Sequence, residues 1–167
     1  MAGSEGTVRI RSATGEDIPL ILALIKELAE YEKLSDQVEA DEETLRSSLF
    51  RQQPPAAYVV IAEKFDGVPV GFALYFFNFS TFTGRPGLYV EDLFIREAYR
   101  GRGYGTRLLT HLANIAAERD CKRMEWIVLD WNQSAIRFYR SIGAVGMDGW
   151  TIQRMDEDAL VKLRNVA

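Results

Sequence analysis

Apolar residues recur along this chain with two periods, and the changes between them mark out its elements. Over 8–11, valine and isoleucine alternate with arginine, which predicts a short strand. Ile18, Ile21, Leu22, Ile25, Leu28 and Ala29 then keep helical spacing, the stripe of a helix with one buried face. Thr14 and Asp17 form an approximate capping box in front of it. Asp41 caps a second, short helix whose first turn carries Glu42 and Glu43, and Pro54-Pro55 ends it. Strand-like runs follow over 58–63 and 68–77, joined around Asp66-Gly67, a hairpin signal. The pattern then predicts a loop over 78–87, a strand over 88–95 and a long helix over 106–119. A strand over 124–129 and a helix over 134–142, stopped by Gly143, come next. Short strands over 145–147 and 150–155 and a terminal helix capped by Asp156 complete the order. This is a mixed α/β chain with a largely antiparallel sheet in its first half and a crossover helix in its second. No repeat, low-complexity tract or linker interrupts it, so the expectation is a single domain over 1–167 with 1–6 frayed.

Composition narrows the classes. With 47% apolar residues among 167, the chain can bury a real core. A net charge of −4 argues against non-specific nucleic-acid binding and against a basic membrane-surface patch. The longest helix-like apolar run, 18–25, contains Pro19 and is too short to span a bilayer. The first residues lack the basic and apolar regions of a signal peptide. Cys121 is the only cysteine, which excludes an intrachain disulfide and fits a reducing cytoplasm. His111 is the only histidine and sits in a leucine-rich helix, so a zinc cluster or a Cys–His dyad has no strong case.

Candidate chemistry begins between the strand over 88–95 and the helix behind it. Arg100-Gly101-Arg102-Gly103-Tyr104-Gly105 alternates glycine with other residues, leaving the backbone bare so that amide groups can converge on a small anion. The helix that follows points the positive end of its dipole at the same place, and Arg100, Arg102 and Arg107 add cationic charge. A tight strand-to-helix turn would explain the glycines alone. No Gly-Lys-Ser/Thr follows, so this is not a P-loop, and the spacing is not that of a dinucleotide fingerprint.

Further along, Asp130-Trp131-Asn132 lies between a strand and a helix, with Ala135, Phe138 and Tyr139 beyond it. Asn132 fits an N-cap. Taken alone, Tyr139 reads as a half-buried aromatic beside Ile136 and Phe138. Glu91 and Asp92 interrupt an apolar strand. Neighbours on a regular strand point to opposite faces, so at least one faces an interior or a cleft. A buried carboxylate without a partner is costly. It is therefore either paired with an arginine, such as Arg100 or Arg137, or placed in a cleft for a functional reason.

Arg-x-x-Gly-x-Gly over 100–105 resembles the coenzyme A-binding motif of the GNAT-type N-acetyltransferases, and Trp131-Asn132 with Ala135, Phe138 and Tyr139 resembles a second segment of that family. The strand over 88–95 and the first-helix stretch over 25–38 resemble the spermidine/spermine N-acetyltransferase branch. The resemblance covers nearly all of 8–163. It implies a sheet that splays open to admit acetyl-CoA, and acetyl transfer to a small amine by direct attack in a ternary complex. Leu93, Phe94 and Ile95 would then offer backbone to the pantetheine arm. Arg100, Gly101, Arg102, Gly103, Tyr104, Gly105 and Thr106 would hold the pyrophosphate, and Asn132, Gln133 and Ser134 the other wall. Tyr139 would face the sulfur, and Glu91 the reacting amine. Tyr31, Glu32, Asp92 and Phe82 would line the substrate channel; the family often carries tryptophan at the position of Phe82. A homodimer is also implied. The other readings of the same residues are an acetyltransferase of protein or peptide amines and a catalytically silent acyl-CoA sensor.

Overall fold

The computed structural model describes residues 8–166, so the expected frayed stretch over 1–6 lies outside the described residues. The chain forms two compact units, one ending at Ile127 and one beginning at Val128. The first unit runs β1 (Val8–Ser12), α1 (Ile18–Glu32), α2 (Glu42–Arg46), β2 (Tyr58–Lys64), β3 (Pro69–Ser80), β4 (Arg85–Ile95), α3 (Tyr104–Glu118) and β5 (Met124–Glu125). The strands form one sheet in chain order, antiparallel from β1 to β4, with β5 parallel to β4 after α3.

Most of the pattern holds, with informative departures. The Thr14–Asp17 box forms, but it caps a 3-10 turn that leads into α1. Arg11 forks onto Asp17 at 2.8 Å and holds that carboxyl well below its ordinary range, at about 2. The expected loop over 78–87 is mostly ladder: Asn78 pairs Gly87, Phe79 pairs Pro86, and Ser80 pairs Arg85. Turn-forming residue types hide this pairing, because backbone ladder bonds are indifferent to side chain. Gly87 is needed there, since a Cβ would lie 2.3 Å from Asn78 Oδ1.

Each face of the sheet carries a core. On the α3 face, Tyr104, Leu108 and Leu112 pack with Val60, Ala62, Ala73, Leu88 and Val90. On the α1 face, Ile21 and Leu24 pack with Val59, Ile61, Phe72 and Phe94. Each such fully buried aliphatic or aromatic side chain stabilises the fold by about 1.5–3 kcal/mol.

β4 changes its parity between these cores. Asp92 pairs Leu74, but Val90 pairs Tyr75, so Glu91 is an extra residue in a β-bulge. Before the bulge, Leu88 and Val90 face α3; after it, Leu93 and Ile95 do, and Phe94 faces α1. Asp92 therefore shares the α1 face with Phe94.

The second unit holds α4 (Gln133–Ser141) and α5 (Glu157–Arg164), with Asn132 and Asp156 as N-caps. The strand expected over 124–129 is only β5, and the strands expected over 145–147 and 150–155 do not form. Instead the chain turns, Trp150 N–H donating to Met147 O at 3.0 Å, and Val145, Trp150 and Ile152 are exposed. Alternation supplies a face, but a strand exists only against a ladder partner, and among the described residues these segments have none.

Candidate active site

The glycine loop begins where β4 ends. After a 3-10 turn over Glu97–Tyr99, Gly101 and Gly103 sit at φ of 74° and 77°, the left-handed region that favours glycine. A Cβ at either meets no protein atom within 4 Å, so the loop opens outward. Gly103 is the N-cap of α3 and supplies no side-chain acceptor, and no acid lies in the first turn. The leading amides of a four-turn helix thus face an open end that carries no acid, which suits an anion. Helix α3 starts at Tyr104 rather than at Thr106, as periodicity predicts, because Gly103 already makes the cap. Tyr104 is 2% exposed and belongs to the core, so its ring is not available to a ligand. Gly105 and Thr106 complete the first turn.

Its two arginines behave differently. Arg102 donates to Ala98 O at 3.4 Å and lies 5.8 Å from the Tyr99 ring. Arg100 donates its Nε proton to Ile95 O at 2.8 Å, and its guanidinium sits 4.1 Å over the Tyr31 ring and 5.7 Å from that of Phe94. Arg100 therefore joins the loop to α1, a link that sequence reasoning missed; nothing in the spacing of residues 31 and 100 signals it.

Gly103→Val places a branched side chain in the open space and in a backbone region that costs such a residue about 1–3 kcal/mol. The expected result is a folded protein whose affinity for acetyl-CoA falls by at least about tenfold, that is by at least 1.4 kcal/mol. Calorimetric affinity equal to the parent would remove the loop from the cofactor site.

Beside the loop, β4 keeps its ladder with β3 as far as Ile95, whereas its ladder with β5 covers only Leu88–Met124 and Tyr89–Glu125. The outer edge of Leu93, Phe94 and Ile95 thus extends beyond β5. Phe94 and Ile95 are themselves buried, so neither side chain lies open to a ligand.

The bulge separates the two carboxylates. Glu91 is exposed, and Asp92 is half-buried. Burial, then the like charges of Glu91 and Glu32, push the Asp92 carboxyl from 3.8 up to about 6. Glu32 is the last residue of α1, and burial pushes it up as well. Tyr31, next to it, packs against the α1-face core. The structure thus gathers Glu32, Glu91 and Asp92 and places Tyr31 alongside. It does not bring in Phe82, which is 96% exposed at the turn of the β3–β4 hairpin.

In the second unit, the Asn132 side chain accepts from Ala135 N–H at 3.2 Å, and Gln133 Nε2 donates to Asp130 O at 2.7 Å. Ser134 is exposed. Tyr139 is half-buried on α4, its ring 5.3 Å from that of Phe138. The described residues contain no cluster of metal-binding side chains and no helix long and apolar enough to cross a membrane.

The model of the acetyltransferase (GNAT) family matches residues 22–144, and the chain belongs to that family. It is similar to the thialysine N-epsilon-acetyltransferase of Bos taurus, 39% identical, with 93% of this chain and 96% of the relative covered. It is 37% identical to the human spermidine/spermine N(1)-acetyltransferase-like protein 1, over 93% of this chain and 23% of that one. Among solved structures, an integron cassette protein from V. cholerae superposes with a TM-score of 0.77 at 30% identity, covering 95% of this chain and 98% of that chain. The protein is an N-acetyltransferase with the mixed sheet of that family, which uses acetyl-CoA.

Proposed function

We propose that this enzyme moves the acetyl group of acetyl-CoA to a primary amine of a small diamine, polyamine or lysine-like amino acid. The observation that carries the reading is the carboxylate group of Glu32, Glu91 and Asp92 at the bulge of β4. An alkyl ammonium ion titrates near ~10, so it arrives charged and must lose a proton before its lone pair attacks. Asp92 and Glu32 hold the cation. Glu91, at the exposed bulge, accepts the proton directly or through a water. The amine nitrogen bonds to the acetyl carbon while the carbon–sulfur bond breaks; Tyr139 gives its proton to the leaving sulfur, and the second proton that the nitrogen sheds on becoming an amide restores the phenol, directly or through a water. The loop over 100–106 holds the pyrophosphate and the backbone of Leu93 to Ile95 the pantetheine arm; Asn132, Gln133 and Ser134 are the further cofactor-binding residues that the family resemblance implies. Phe82 would reach the substrate only as the channel residue that the family resemblance suggests.

The relatives that act on thialysine and on spermidine or spermine support the substrate class. The same reading expects a cytoplasmic homodimer; the single cysteine agrees with the location. The test is a panel of monoamines, diamines, polyamines, diamino acids and peptides with acetyl-CoA, followed as free thiol. Amines with a second cationic centre are expected to give the highest kcat/KM. Turnover confined to peptides would overturn the substrate class, and no thiol release with any amine would overturn the catalytic reading.

A further inference from the structure

One arginine beside the loop belongs to none of the roles above. Arg96 follows β4 directly, and its backbone N–H donates to Val70 O at 2.9 Å. Its guanidinium spends all of its nitrogens on the protein. Nε donates to Glu27 Oε2 at 2.8 Å, Nη2 to Glu27 Oε1 at 2.7 Å, and Nη1 to Pro69 O at 2.8 Å. This is a bidentate fork onto α1 with a third bond to the first residue of β3, a geometry that lysine cannot reproduce. Both side chains are half-buried, at 27% and 37% exposure, so the pair is less screened than a surface bridge.

The spacing matters as much as the bonds. Glu27 and Tyr31 are four apart on α1 and share a helix face. Arg96 and Arg100 are also four apart and grip those two residues, one as an ion pair and one as a ring stack. The gripped segment is the final stretch of α1, which ends at Glu32 before Lys33 turns left-handed at φ 62°. That stretch carries Glu32 into a carboxylate cluster. Gathering like charges at a half-buried place opposes the arrangement, since a frayed helix end would let Glu32 rehydrate away from Asp92. Something must hold the helix end in.

We infer that Arg96, through its fork on Glu27, is a positioning residue for the amine site, latching the end of α1 to the β4–loop junction so that Glu32 stays beside Asp92. The latch touches neither the amine nor the reacting atoms. The inference rests on the assignment of Glu32 and Asp92 to the substrate cation. It predicts an effect on uniform binding of the amine, which raises KM and leaves kcat in place.

The test is steady-state kinetics of Arg96→Met, Arg96→Lys, Glu27→Gln and the double variant Glu27→Gln/Arg96→Met, with one diamine at saturating acetyl-CoA. Arg96→Met and Glu27→Gln are each expected to raise the amine KM about fivefold, the size of a coupling near 1 kcal/mol, with kcat within about twofold. The double variant is expected to be no worse than either single one, because both break the same contact. Arg96→Lys is expected to recover only part of the loss. Glu32→Gln in the parent background checks the underlying assignment by itself. If Glu32→Gln raises the amine KM and the Arg96 and Glu27 variants do not, the latch is wrong and the site stands. If Glu32→Gln leaves KM unchanged, the site assignment fails first and the latch with it. A change confined to acetyl-CoA affinity or to melting temperature would also overturn the latch.

Discussion

Replacing Tyr139 by phenylalanine is expected to lower turnover by about 10²–10⁴-fold, the usual range for a lost general acid. The substitution removes one hydroxyl and keeps the ring that packs 5.3 Å from Phe138. Fold and cofactor affinity should therefore stay near the parent, and kcat should carry the loss. The helix itself does not depend on the hydroxyl: Asn132 caps it at one end, and Ala144 N–H closes onto the Tyr139 backbone carbonyl at 3.0 Å at the other. Near-normal turnover at saturating amine and acetyl-CoA would make Tyr139 a packing residue and leave proton return to solvent.

The two carboxylates of β4 are expected to separate by kind of effect. Glu91→Gln should lower kcat by about 10²–10⁴-fold at neutral pH and partly recover as pH rises toward the pKa of the amine, because free amine needs no base. Asp92→Asn should mainly raise the amine KM, by about tenfold or more, the weight of one lost charged contact. It should also stabilise the protein. With its carboxyl raised from 3.8 to about 6, the folded chain keeps a proton between those values that the unfolded chain releases. Stability from this group is therefore highest below pH 4 and declines as pH rises through 6, by about 2–3 kcal/mol. Melting curves of Asp92→Asn should show a gain at pH 7.5 that disappears at pH 4. In the parent, amine binding should weaken as pH falls through about 6, where Asp92 takes up its proton. A parent-like pH profile in Glu91→Gln would transfer the role of base to Asp92 or to bulk water; an unchanged melting temperature for Asp92→Asn at pH 7.5 would mean that its charge is not strained.

Much of this was legible because local chemistry decides it. The helical stripe from Ile18 to Ala29 buries one face whatever lies opposite, and α1 appears over Ile18–Glu32. Asp66-Gly67 closes the β2–β3 connection, with Gly67 at φ 83°. The glycines at 101 and 103 take left-handed values that favour glycine, and Asn132 caps α4 as its residue type predicts. Failures came where partners matter more than pattern. Trp150 and Ile152 alternate like a strand yet have no ladder among the described residues, and the polar stretch over 78–87 conceals one.

By itself, then, the sequence determined the order of the helices and main strands, the glycine loop between β4 and α3, and the presence of two acids in an apolar strand. Only the tertiary structure decided which way those acids face. Strict alternation puts Asp92 on the same face as Val90, toward α3. The bulge at Glu91 inserts one residue, reverses the parity of everything after it, and turns Asp92 toward Glu32 on α1. A bulge arises from the register that β3 imposes on β4, and register is a relation between strands that neither strand carries alone. The same holds for the grips of Arg96 on Glu27 and Arg100 on Tyr31: each joins residues 69 apart in the chain, and only folding brings their charges and rings within reach.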